Sequence, residues 1–153
     1  MSEYGDKVQA KCDAFADRVI KLNDYLLDQA ANRKVEVLRL KAETKAEGGS
    51  MKADRSRVPV FLQSVATICN QLLRAGTSIG ANNSEATSAI SKADYKAKSY
   101  IALKEARESL YWINLLHRNE YLDDTQYQSI YADCEELVKI FVARCKKLDG
   151  EDK

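Results

Sequence analysis

The chain has 153 residues, with 24 Lys+Arg against 23 Asp+Glu, so its net charge is +1 when the single histidine is neutral. That length suggests one domain, and a charge near zero leaves no general electrostatic footprint for nucleic acid or an anionic membrane. One proline and six glycines argue against a turn-rich all-β fold, one histidine rules out a His-rich metal site, and 45% hydrophobic content excludes a disordered chain.

The first segment, about 4–30, carries Val8, Cys12, Phe15, Val19, Leu22 and Leu26. Their alternating three- and four-residue spacing marks one face of an amphipathic helix. The opening residues lack a basic stretch followed by an apolar one, so no secretory signal is expected. No apolar run approaches the ~18 residues of a membrane span, and the expected location is cytoplasmic.

Residues 31–57 have a different character. Arg33, Lys34, Arg39, Lys41, Lys45, Lys52, Arg55 and Arg57 face only four carboxylates, giving this segment +4 and leaving −3 for the rest. Val37 and Leu40 prolong the first helix, which is expected to reach about Glu47. Gly48-Gly49-Ser50 is the strongest break in the chain and opens a basic connection up to Pro59. The eight basic residues are the candidate phosphate contacts, interleaved with glutamates.

Pro59 suits the first turn of a second helix, about 59–89. Phe61, Val65, Ile68, Leu72, Gly76, Ile79 and Gly80 give its apolar and small-residue stripe. From Val58 to Ser91 only Arg74 and Glu85 are charged. A helix with one wet face normally carries more charge, so this one is expected to be covered on more than one side, most simply by another copy of the chain. Two mid-helix glycines cost about 1 kcal/mol each relative to alanine, which close helix packing would offset. Gly76, Gly80 and Ser84 recur every four residues on one side, and with Ile79 they form the expected close-packing or inter-copy seam.

Ser91-Lys92-Ala93-Asp94 is a variant capping box that opens a third helix, about 92–118. One stripe holds Ala102, Leu103, Ala106, Leu110, Ile113 and His117. A second holds Tyr100, Ile101, Tyr111, Trp112 and Leu115. Two stripes exceed what one core needs, so Tyr111 and Trp112 join the candidate interface. After a turn at 119–123, Asp123-x-x-Gln126 opens the last helix, about 124–148, whose stripe runs from Tyr127 to Leu148. The expected fold is an all-α, antiparallel, up-and-down four-helix bundle with a long connection between its first two helices.

Catalytic constellations are scarce. No cysteine of Cys12, Cys69, Cys134 and Cys145 lies in a C-x-x-C pair, and Cys134 and Cys145, ~16 Å apart along a helix, cannot form a disulfide. All four read as reduced core thiols. Glu105 and Glu108 lack the paired histidines of a di-iron bundle. His117 has no nucleophile that spacing places beside it. No catalytic residue, metal, cofactor or small-molecule substrate is expected.

The run Gln71-Leu72-Leu73-Arg74-Ala75-Gly76-Thr77-Ser78-Ile79-Gly80-Ala81-Asn82 carries a family resemblance. It is joined by Glu85-Ala86, Ser91-Lys92-Ala93-Asp94-Tyr95, Ile101-Ala102-Leu103-Lys104-Glu105-Ala106, Tyr111-Trp112, Tyr121-Leu122 and Asp133-Cys134-Glu135-Glu136-Leu137. Together they resemble the bacterial four helix bundle protein family, also known as the ribosomal-protein-like family encoded in intervening sequences of 23S rRNA genes. The resemblance covers 71–148 well and the first helix more loosely. It implies a small cytoplasmic bundle assembled as a ring-like homopentamer. A related branch, the accessory variability determinants of diversity-generating retroelements, binds a reverse transcriptase and its RNA or DNA. In the usual family pattern the first helix is joined to the Gln71 motif by a shorter connection than the one at 31–60.

Overall fold

The computed structural model describes residues 3–46 and 57–150, with side chains for 3, 5–40 and 63–150. Four helices follow in order: α1 Glu3–Ala46, α2 Arg57–Thr87, α3 Lys92–Arg118 and α4 Asp124–Gly150. Among the described residues there is no strand. α1 packs on α2, α2 on α3 and α3 on α4, and α4 closes back on α1. The result is an up-and-down four-helix bundle with α1 and α3 at opposite corners.

The four apolar stripes meet in one core. Phe15 and Val19 of α1, Leu72 and Ile79 of α2, Ile113 and Leu116 of α3, and Leu137 and Phe141 of α4 are all buried there. The α1–α4 seam is the loosest of the four, and long polar side chains bridge it. Lys11 pairs with Glu136 at 2.9 Å, while Arg18 pairs with Asp133 and donates to the Ser129 hydroxyl at 2.8 Å.

α2 seats closely on α1 because of Gly76. A Cβ there would lie 3.1 Å from Val19 Cγ2 and 3.3 Å from Val19 Cγ1, tighter than side chains normally approach. At Gly80 the added atom would meet Cys12 Cβ at 3.4 Å, an ordinary contact. One turn on, Asn83 is only 1% exposed and its side-chain amide is bonded at both ends. It donates to Gln9 Oε1 at 2.7 Å and accepts from Arg144 Nη1 at 2.7 Å, tying α1, α2 and α4 together at one level. The Arg144 guanidinium also lies 4.9 Å from the Phe141 ring centre and 5.8 Å from that of Tyr95.

Local chemistry sets the helix ends. α2 begins at Arg57, which puts Pro59 in the first turn, where its missing N–H is not needed. Ser91 Oγ accepts from the Asp94 N–H at 3.1 Å, and Asp94 accepts in return from the Ile90 N–H. At α4 the box is reciprocal: Gln126 N–H donates to Asp123 Oδ1 and Asp123 N–H to Gln126 Oε1. α3 ends in a Schellman pair, with Tyr121 N–H on Leu116 O and Glu120 N–H on His117 O. Glu120 fills the left-handed position (φ 59°) that glycine usually takes.

The two helix glycines are predicted to respond differently. Gly80→Ala should stabilise the fold by up to about 1 kcal/mol through helix propensity alone. Gly76→Ala should gain less, and Gly76→Leu should cost about 1–3 kcal/mol through overpacking. Thermal unfolding of the three variants checks this order, and equal effects at both glycines would contradict it.

Candidate interaction surface

The outward faces of the four helices differ in chemistry. That of α2 is neutral: Gln63, Thr67, Asn70, Ala81 and Ser84 are exposed, with Arg74 and Glu85 its charges. That of α4 mixes Glu136, Lys139, Lys146 and Lys147 with small residues. α1 presents Asp6, Asp13, Asp17, Asp24 and Asp28, all exposed, at spacings of seven and four residues that place them in one row. Ile20, 43% exposed, lies beside this row, and Lys21 is the cation at its edge.

α3 presents the opposite sign. Tyr100, Lys104, Arg107, Tyr111 and Arg118 are exposed and form one row at three-, four- and seven-residue steps. Tyr111 is 54% exposed, Tyr100 40% and the flanking Ile101 39%. Tyr111 meets Trp112 edge-on, with ring centres 4.8 Å apart, and Trp112 Nε1 donates to Glu108 at 3.2 Å. Tyr100 donates to Asp149 Oδ2 at 2.6 Å, and that bond raises its pKa above the ordinary phenol value.

The six residues expected at a close-packing or inter-copy seam separate into two groups. Gly76 and Gly80 are buried against α1 of the same chain, and Ile79 is in the core. Ser84 and Tyr111 lie outside, and Trp112 is half-buried. α2 is poor in charge partly because α1 and α3 of its own chain cover two of its sides.

Of the eight basic candidates, Arg33, Lys34 and Arg39 are exposed on α1. Lys41 and Lys45 fall within α1 and Arg57 opens α2, but their side chains lie outside the described residues, as do Lys52 and Arg55 entirely. Tyr121 of the α3–α4 turn borders a 60 Å³ cavity with Leu26, Ala30 and Arg33 of α1. Beyond that turn α1 runs on to Ala46, roughly 20 Å at 1.5 Å per residue. Val35 and Leu38 are exposed along this projection.

The remaining chemistry-bearing residues are structural in placement. All four cysteines are free and buried. Burial pushes Cys12 and Cys134 up to about 12, helped by Asp13 and Asp133, and Cys69 up to about 11. His117 shares a 2.8 Å hydrogen bond with Asp124 and stacks on Tyr127 at 4.0 Å, joining the two sides of the α3–α4 turn. A 310 Å³ groove on the α1–α4 seam is lined by Arg18, Leu22, Thr125, Gln126, Ser129 and Ile130. Arg18, its charged group, is already held by Asp133. Among the described residues no group of three His, Cys, Asp or Glu could hold a metal, and no helix is long and apolar enough to cross a membrane.

Residues 61–143 match the family described as 23S rRNA-intervening sequence protein. This chain belongs to that family. The matched span runs from the first turns of α2 into the last third of α4, so it includes the glycine seat and both capping boxes. Among solved structures, the chain is similar to a protein of unknown function from the S23 ribosomal protein family of Bacteroides thetaiotaomicron. Identity is 33%, the TM-score is 0.68, and the match covers 93% of this chain and 97% of that one. No curated protein matches the chain.

The thiols give a check on this arrangement. An aqueous thiol reagent is expected to label none of the four cysteines rapidly in the folded protein and all four after denaturation. Their folded pKa values lie above the unfolded value of 9.0, so the stability they contribute is intact below pH 9 and is lost as pH rises towards 12. The unfolding temperature should therefore be flat between pH 7 and 8 and fall above 9. A rapidly labelled thiol in the native protein would contradict the burial described.

Proposed function

We propose that this family member is a non-catalytic helical scaffold that assembles with copies of itself and offers the assembled surface to a macromolecular partner. One observation carries the reading. Ile20, Tyr100, Ile101 and Tyr111 stand exposed on the outer faces of regular helices whose core is already complete without them. Tyr100, Ile101 and Tyr111 gather on α3 while Ile20 stands on α1; large apolar side chains gathered on an ordered outer face mark protein contacts, and burying each contributes about 1.5–3 kcal/mol. Light scattering after size exclusion tests the reading: the mass should be a multiple of 17.2 kDa. Five copies, the number that the family resemblance implies, would read about 86 kDa. A strict monomer at micromolar concentration would overturn it.

A second reading rests on the α1 projection, where Arg33, Lys34 and Arg39 are exposed past the α3–α4 turn. Repeated around an assembly, several such projections would act together on phosphate. This is the nucleic-acid-binding role, alongside a reverse transcriptase, of a retroelement accessory protein. Binding to a structured RNA should then weaken as salt rises. It should fall at least tenfold in a variant carrying Arg33→Glu, Lys34→Glu, Arg39→Glu and Lys41→Glu. Unchanged affinity in that variant would remove this reading.

A further inference from the structure

The acidic row of α1 and the basic, tyrosine-bearing row of α3 stand at the same height on the bundle. Gln9 is bonded to Asn83, and Lys98 is paired with Glu85, so Gln9 lies level with about Tyr100. The other way round the bundle agrees. Arg18 reaches Ser129 and Asp133, while Asn114 is bonded to Tyr127 and Cys134 to Ala106, which sets Arg18 level with residues near Leu110. Both helices rise 1.5 Å per residue in the same direction, so the correspondence holds along their length. Asp13 is level with Lys104, Asp17 with Arg107, Ile20 with Tyr111, and Asp28 with Arg118.

We infer that the α1 row of one copy docks side by side, in parallel and without axial shift, on the α3 row of a second copy. This rests on the self-assembly reading above and specifies its surfaces. Charge complementarity selects the occupant. Asp17, Asp24 and Asp28 are exposed, as are Lys104, Arg107 and Arg118, and none of these six has an ion pair among the described residues. A second copy brings opposite charges together at three levels, Asp13 with Lys104, Asp17 with Arg107 and Asp28 with Arg118, and sets Ile20 against Tyr111. Lys21 at the edge of the acidic row, and Glu108 and the Tyr100-bonded Asp149 at the edge of the basic row, are the like-charge exceptions. Because α1 and α3 occupy opposite corners, each copy has one donor face and one acceptor face. Such head-to-tail contacts build a ring when the rotation closes and an open array when it does not.

The test is charge exchange, read as mass by light scattering, with circular dichroism confirming that each variant is folded. The wild-type protein should be a multimer. Asp17→Lys with Asp28→Lys should give monomers, and so should Arg107→Glu with Arg118→Glu. All four changes in one chain should restore assembly. If the wild type assembles and the folded double variants keep its mass, this pairing is wrong while the scaffold reading stands. If the wild type is a monomer, both fall. Double variants that become monomers but are not rescued by the fourfold change would also overturn the pairing. So would an Arg107→Glu, Arg118→Glu protein that keeps its mass but no longer binds a structured RNA, since the α3 row would then be a nucleic-acid surface.

Discussion

α1 lies closest to α2 where Gly76 offers no side chain to Val19 and Phe15. That approach fixes how far the two helices interdigitate, and the hydrogen bonds around Asn83 fix their axial register. Sliding α1 by one turn so that Val19 faces Leu72 instead of Gly76 would put the leucine side chain into the space Val19 occupies. It would also strand the buried Asn83 amide, at about 1–3 kcal/mol for an unsatisfied polar group. Arg144 binds the same amide from α4, so three helices share one level mark. The outer faces inherit that register. The heights of the aspartates on α1 and the cations on α3 are set by contacts centred on the buried Gly76 and Asn83.

Much of the bundle is legible in the sequence because its physics is local and periodic. Four apolar stripes at helical spacing, two capping boxes and one proline in a first turn describe four helices whose order allows few arrangements. Legibility falls where the deciding atom lies on another helix. Gly76 and Gly80 signal a close approach, yet the sequence does not say whether the neighbour is α1 or a second molecule, and α1 is the neighbour. The turn after α3 holds no glycine; Glu120 takes the left-handed position within a Schellman pair, which no residue type announces.

The charged rows were present in the sequence but concealed by summation. A segment-by-segment count finds +4 at 31–57 and −3 elsewhere, which averages the aspartates of α1 with the cations of α3. Seven- and four-residue spacing of like charge is the signal that separates them, and it has the same helical origin as the apolar stripes. Membership of the 23S rRNA-intervening sequence protein family sets the fold and agrees with the solved relative over nearly the whole chain. The outer faces carry the functional question, and there the neutral α2, the acidic α1 and the basic α3 are chemically distinct. A surface so partitioned suits directional association better than uniform solvation.

Proximity between copies can be measured directly. Asp13→Cys combined with Lys104→Cys places two exposed thiols level on opposite corners of the bundle, while the four native thiols remain buried. A short bis-maleimide should then link wild-type-like assemblies into a ladder of covalent multimers on a denaturing gel. Lys104→Cys combined with Lys139→Cys, with its second thiol on the outward face of α4, should give no ladder. A ladder confined to the first pair is the predicted result. Its absence in a protein that is multimeric by mass, or equal ladders from both pairs, would contradict docking of the α1 row on the α3 row.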